Sequence, residues 1–238
     1  MTVRFGIVVF PGTNCDHDTR FAVEGLGFQA EFVWHTAVRL DSFDCVVLPG
    51  GFAHGDYLRT GAIAAFSPVI SAVRRYIDDG GLVLGICNGF QVLLEMGALP
   101  GAMLRNRNLR FLCRFVDLLV KQADTPFTGA CGEKHVLRMP ISHFEGKYYI
   151  DAAGLRTLVD NEQIVLKYCD AEGISTPDAN PNGATFNIAG ICNQKRNVFG
   201  LMPHPERASD EVLGATDGRL IFDSISQCVS GTSNGSRS

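Results

Sequence analysis

Residues 82–94, Leu-Val-Leu-Gly-Ile-Cys-Asn-Gly-Phe-Gln-Val-Leu-Leu, constrain the fold more than any other stretch of this chain. An apolar run without polar alternation ends in Gly85-Ile86-Cys87-Asn88-Gly89, and an amphipathic helical pattern starts at once. Such a run reads as a strand buried on both faces, and that burial belongs to parallel sheets covered by helices. Glycine two residues to either side of a cysteine, at a direct strand-to-helix junction, is the spacing of a nucleophile elbow. Side chains at those flanking positions would collide with strand and helix. The turn presents Cys87 at the carboxyl end of the sheet, the edge where open α/β folds bind ligands. It also sets the sulfur against a helix N-terminus, whose unpaired N–H groups and dipole favour a thiolate. A buried core cysteine is the ordinary alternative. The two glycines speak against it.

The surrounding pattern agrees with a parallel sheet. Val3–Phe10 is an apolar β run followed by the loop residues Pro11-Gly12-Thr13-Asn14, and Asp16–Leu26 has helical spacing that stops at Gly27. Phe28–Trp34 and Cys45–Leu48 read as strands, and Ile63–Tyr76 as a helix bent or restarted at Ser67-Pro68. Alternating β and α segments with short Gly-rich connections predict an α/β fold, with helices on both faces of a mostly parallel central sheet. The second half instead shows β-type alternation in Arg110–Lys121, His135–Tyr149, Gln163–Tyr168, Phe186–Cys192 and Asn197–Met202. These are expected as antiparallel strands added to the edge of the same sheet, with a closing helix in Gly218–Val229. One domain over residues 1–229 is expected, and the Ser/Gly-rich segment 230–238 reads as a disordered tail.

Composition narrows the classes of function. With 46% hydrophobic and 19% charged residues, the 238 residues can build a sizeable core. A net charge of −4 argues against a nucleic-acid surface. No apolar run approaches the ~20 residues of a membrane span, and residues 1–10 read as a first strand rather than a signal peptide. The eight cysteines form no C-x-x-C pair and no zinc spacing with histidine. Reduced thiols in a cytoplasmic protein, and no metal site, are the expectation.

Two further motifs carry chemistry. Val47-Leu48-Pro49-Gly50-Gly51-Phe52 ends a strand in two glycines, so backbone N–H groups there can approach a ligand closely. One of them, with the N–H of Asn88, would make an oxyanion hole beside the elbow. The same turn could cradle a phosphate, but neither G-x-G-x-x-G nor G-x-x-x-x-G-K-[ST] occurs. In Pro203-His204-Pro205-Glu206 two prolines stiffen the backbone around a histidine and a carboxylate. His204 is placed to take the Cys87 proton and Glu206 to hold its ring, although such a pair can also be a plain surface turn. The remaining histidines, 17, 35, 54, 135 and 143, have no such pairing.

Gly85-Ile-Cys87-Asn-Gly89-Phe-Gln91 together with Pro203-His204-Pro-Glu206 resembles the triad (class I) glutamine amidotransferases, which have a flavodoxin-like fold. Val9–Asp16, Pro49–Arg59, Asn180-Pro-Asn-Gly183 and Gly200–Arg207 are similar to one branch, the separate glutaminase subunits of phosphoribosylformylglycinamidine synthase. The resemblance runs from residue 3 to about residue 229. It implies that Cys87 attacks the amide of L-glutamine, His204 relays protons and Glu206 orients His204. It further implies oxyanion donors at Gly50, Gly51 and Asn88, with Gln91, His143 and Phe144 along the substrate; Phe144 departs from the Gly expected after His143. The implied partners are a large synthase subunit, which uses ATP and Mg to convert formylglycinamide ribonucleotide, and a small bridging subunit. No cofactor is implied for this chain. Two rivals differ in class: another cysteine-elbow hydrolase, and a non-catalytic binding module on the same fold. The first leaves Gln91 and Pro203–Glu206 unexplained, and the second would lack a triad member.

Overall fold

The structure, a computed structural model, describes residues 2–132 and 136–235, so the expected strand start at His135 lies outside the described residues. The first half alternates as expected: β1 (Arg4–Val9), α1 (Asp16–Gly25), β2 (Gln29–Trp34), β3 (Cys45–Leu48), α2 (Pro68–Asp78), β4 (Leu82–Ile86) and α3 (Asn88–Glu95). Pro68 occupies the first turn of α2, where its missing N–H costs nothing, and a separate short 3-10 turn at Ala64–Phe66 precedes it. The helix is restarted at that point, not bent. The second half supplies β5 (Ala102–Leu104), β6 (Leu112–Val120), β7 (Val136–His143), β8 (Lys147–Tyr149), α4 (Ala152–Asp160), β9 (Ile164–Cys169), β10 (Ile188–Cys192), β11 (Val198–Leu201) and α5 (Arg219–Gly235).

Nine strands form one sheet in the order β2-β1-β3-β4-β11-β10-β9-β6-β7, while β5 and β8 pair separately. The pairs from β2 to β11 are parallel, and every pair from β11 to β7 is antiparallel. It follows that only β10 and β6 oppose the other strands. The carboxyl ends of β1, β3, β4, β11, β9 and β7 therefore share one edge. Strand addition reverses at β1, and right-handed crossovers then put α1 and α2 on opposite faces. Strands β3, β4, β9, β10 and β11 are buried along their whole length. The Phe5 and Phe222 rings, 6.2 Å apart, seal α5 against β1.

Two expectations need correction. Asn197–Met202 was expected as an antiparallel strand, yet β11 runs parallel to β4, from Val198↔Val83 to Leu201↔Ile86. A short apolar run carries no direction, and β11 is the last strand of the parallel set. Residues 230–235, expected in a disordered tail, continue α5 to Gly235, and 236–238 lie outside the described residues. Helix α4 had no reading in the sequence. Asp151 caps it, accepting the Gly154 N–H at 2.7 Å.

The second half of the sheet curls. From β4 to β7 is five strand steps, which would be about 24 Å in a flat sheet. Yet the His204 N–H donates to Pro140 O of β7 at 2.8 Å, and Cys87 Sγ lies 3.7 Å from Ser142 O. A bulge at Gly190, where the β10–β9 register shifts twice, helps to bend the extension. The last strand thereby returns over the carboxyl edge.

Candidate active site

The elbow forms as its spacing demands. Cys87 sits at φ 49°, ψ −102°, between β4 and α3, and its N–H donates to Leu201 O at 2.8 Å. A Cβ on Gly89 would lie 1.8 Å from Leu48 O, and one on Gly85 would lie 2.5 Å from Leu93 Cδ1. A non-glycine residue held in this conformation is strained, and such strain concentrates where a side chain must be aimed. The thiol is buried but lines a cavity of about 260 Å³.

Beyond β11 the chain turns through Pro203 and brings His204 to the same edge. His204 and Glu206 are both 1% exposed, and Nδ1 meets Glu206 Oε1 at 2.6 Å. That contact leaves Nε2, buried and without a hydrogen-bond partner among the described residues, as the free ring nitrogen. Burial opposes protonation of His204, but the charges of Glu206 and Cys87 outweigh it and hold its pKa well above the ordinary value. Cys87 and His204 thus line the same cavity, and Glu206 backs the imidazole.

Gly51 lines the cavity and Gly50 lies behind it. A Cβ on Gly50 would be 2.8 Å from His204 Cε1, and one on Gly51, at φ +141°, would be 2.7 Å from Asn14 N. The glycines are strapped to the loop after β1: Cys15 N donates to Gly50 O (3.2 Å) and Phe52 N to Gly12 O (3.1 Å). Asn88 opens α3, so its backbone N–H has no intrahelical acceptor. Its side chain accepts from Ala53 N at 3.0 Å and donates to Asp56 Oδ1 at 3.1 Å and Gln91 Oε1 at 2.8 Å.

The facing wall comes from β7 and the turn after it. Gln91 Nε2 donates to Glu145 O at 2.6 Å. His143 is buried beside Asn106, Phe144 is half-exposed, and Gln91, His143 and Phe144 all line the cavity. Asp56 and Glu145 bring two carboxyls to it; burial, with repulsion from Glu145, raises Asp56 to about 6.

Sequence reasoning missed Cys15, Arg207 and Asn106. Arg207 donates to Asp18 Oδ2 at 3.0 Å and to Cys15 Sγ at 3.1 Å, while burial pushes the Cys15 thiol up. Arg207 and Cys15 are 192 positions apart, so no local signal links them. Donor atoms of Cys15, His204 and Glu206 lie within 4.8 Å of one another, as a metal would require. The Arg207 guanidinium on the Cys15 sulfur opposes a second cation there.

With this geometry in view, comparison with known proteins is specific. Residues 2–218 match the CobB/CobQ-like glutamine amidotransferase domain. A phosphoribosylformylglycinamidine synthase subunit PurQ from Salinibacter ruber is 52% identical over 231 residues, 97% of this chain and 98% of that protein. One from Thermus thermophilus is 54% identical over 220 residues, covering 92% and 96%. Among solved structures, a chain of PurLQS from Thermotoga maritima matches with TM-score 0.85 and 42% identity, covering 96% of this chain and 100% of that one. This chain belongs to the CobB/CobQ-like glutamine amidotransferase family, in its branch of PurQ subunits of phosphoribosylformylglycinamidine synthase.

Proposed function

We propose that this chain hydrolyses L-glutamine to glutamate and ammonia, and that it delivers the ammonia to a synthase making formylglycinamidine ribonucleotide in purine biosynthesis. The observation that carries the reading is that Cys87 and His204 line one small cavity, with Glu206 bonded to His204 behind it. Its 260 Å³ falls below the ~300–1,000 Å³ of pockets for drug-sized ligands and suits an amino acid. The Cys87 sulfur attacks the carboxamide carbon, and the carbonyl electrons move to oxygen. The backbone N–H groups of Gly51 and Asn88 stabilise that oxyanion, each by about 3 kcal/mol. His204 passes the thiol proton to the departing nitrogen, the C–N bond breaks, and water then cleaves the glutamyl thioester. Glu206 holds the imidazole and balances its positive charge.

The partners in this reading are the large synthase subunit, PurL, which uses ATP and Mg, and the small bridging subunit, PurS. The cytoplasm is the compartment; among the described residues no helix is long and apolar enough to cross a membrane. Ammonia release from L-glutamine tests the proposal, measured for the chain alone and with the large subunit, its nucleotide and its substrate. Cys87→Ala should abolish release, and the large subunit should raise kcat/KM by favouring the competent arrangement of the Gly50-Gly51 loop. Release that survives in Cys87→Ala would refute the nucleophile. Full activity in the isolated chain, unchanged by those additions, would refute the coupling.

A further inference from the structure

The hydrogen-bonding state of His143 is fixed by the backbone around it. Asn106 is fully buried; its Oδ1 accepts the Gly146 N–H at 3.1 Å, and its Nδ2 donates to the carbonyls of Arg110 and His143 at 2.9 Å each. A backbone N–H can only donate and a carbonyl can only accept, so the Asn106 amide has a single orientation. The same Oδ1 lies 3.1 Å from His143 Nδ1, which must therefore carry the ring proton. His143 Nε2 is then a bare lone pair. Burial first, and the neighbouring His204 second, push the His143 pKa down to about 3, so the ring stays neutral at ordinary pH. Nε2 is buried with no hydrogen-bond partner among the described residues, and the ring lines the cavity next to Ser142, whose carbonyl faces Cys87 Sγ. Gly146 makes room for this seat, because a Cβ there would fall 2.1 Å from the ring.

We propose that the His143 Nε2 lone pair recognises the carboxamide nitrogen of the substrate and so selects an amide over an ester or acid at the carbon that Cys87 attacks. A carboxamide offers N–H groups to this acceptor. An ester or carboxylate oxygen brings a second lone pair against it and leaves both unsatisfied. Asn106 is the positioning residue: without its oxygen the ring can take the other tautomer and turn a donor toward the substrate. The inference rests on the glutaminase reading above and adds the group that reads the leaving atom.

The test compares kcat/KM for L-glutamine and L-glutamate γ-methyl ester in the full chain with its large subunit. The amide-to-ester ratio should fall at least about tenfold in His143→Leu, the scale of one hydrogen bond. Asn106→Leu should lower it too, and His143→Gln, which can present a carbonyl acceptor, should restore part of it. A general loss of structure would depress both substrates together. Should the variants fail to fold, the wild-type chain still decides, through inhibition constants for glutamate γ-N-methylamide and the near-isosteric γ-methyl ester. Tenfold tighter binding of the N-methylamide is expected, and equal constants overturn the inference, as does an unchanged ratio in folded His143→Leu. Ester hydrolysis with no glutamine turnover in the wild type would instead sink the glutaminase reading.

Discussion

Replacing Cys87 by glycine and by alanine separates strain from chemistry at one position. Both variants lose the thiol, so both should lose glutamine hydrolysis, but only glycine is comfortable at φ 49°, ψ −102°. Strain of this kind is worth about 1–3 kcal/mol, and the upper half applies because these angles are those of the first central position of a type II′ turn, which glycine dominates. Against that, glycine forgoes one buried methyl, about 0.8 kcal/mol, and gains about 0.5 kcal/mol of freedom in the unfolded chain. Cys87→Gly should therefore exceed Cys87→Ala in stability by about 1 kcal/mol, or about 2–4 °C in Tm for a chain of this size. Urea midpoints and thermal scans of the two inactive proteins, compared at equal m-value, measure it. If alanine proves equal or better, the elbow is not strained and the sharp turn serves no aiming purpose.

Other substitutions probe the site and its frame. His204→Asn should lower kcat/KM by several orders of magnitude and Glu206→Gln by less, since the carboxylate only orients and balances the ring; unaltered kinetics in both would make Pro203–Glu206 a plain turn. Because the folded-state pKa of His204 is raised, its protonation stabilises the fold fully below the unfolded value near 6.5, and that contribution is lost as pH rises through the folded value. The wild type should therefore lose stability relative to Glu206→Gln over that window; parallel stability–pH curves would contradict the coupling. Gly89→Ala drives a Cβ to 1.8 Å from Leu48 O and should leave little soluble protein, whereas Gly25→Ala, in α1 with nothing within 4 Å, should add about 0.5–1 kcal/mol. Similar yields and melting points for the two would contradict the packing described at the elbow.

What could be read in advance follows from the range of the interactions. The elbow was legible because Gly85 and Gly89 answer steric demands within four residues of each other. His204 and Glu206 were legible because they stand two positions apart. Cys15 and Arg207, or His143 and Asn106, meet only through the sheet, and nothing near either residue in the chain announces it. The direction of β11 was hidden for the same reason. Its short Val-Phe-Gly-Leu run packs equally well either way, and the sheet order decides. The continuation of α5 past Val229 went against a Ser/Gly-rich composition that on its own favours disorder.

The return of β7 over the carboxyl edge gives this protein a particular order of maturation. A chain that has formed only β1–β4 already holds Cys87 between its two glycines, but the wall carrying Ser142 and His143 closes only when β11, β10, β9, β6 and β7 have joined. The contacts that complete the pocket link positions 55 residues apart, Cys87 to Ser142, and further, His204 to Pro140. Pairings of such separation form late and slowly. A nascent or half-assembled chain would expose a reactive sulfur without the machinery to use it, and ammonia release would appear only after the last antiparallel strand docks. In refolding experiments, activity should therefore lag behind the recovery of helical signal, making turnover a clock for the final step of folding.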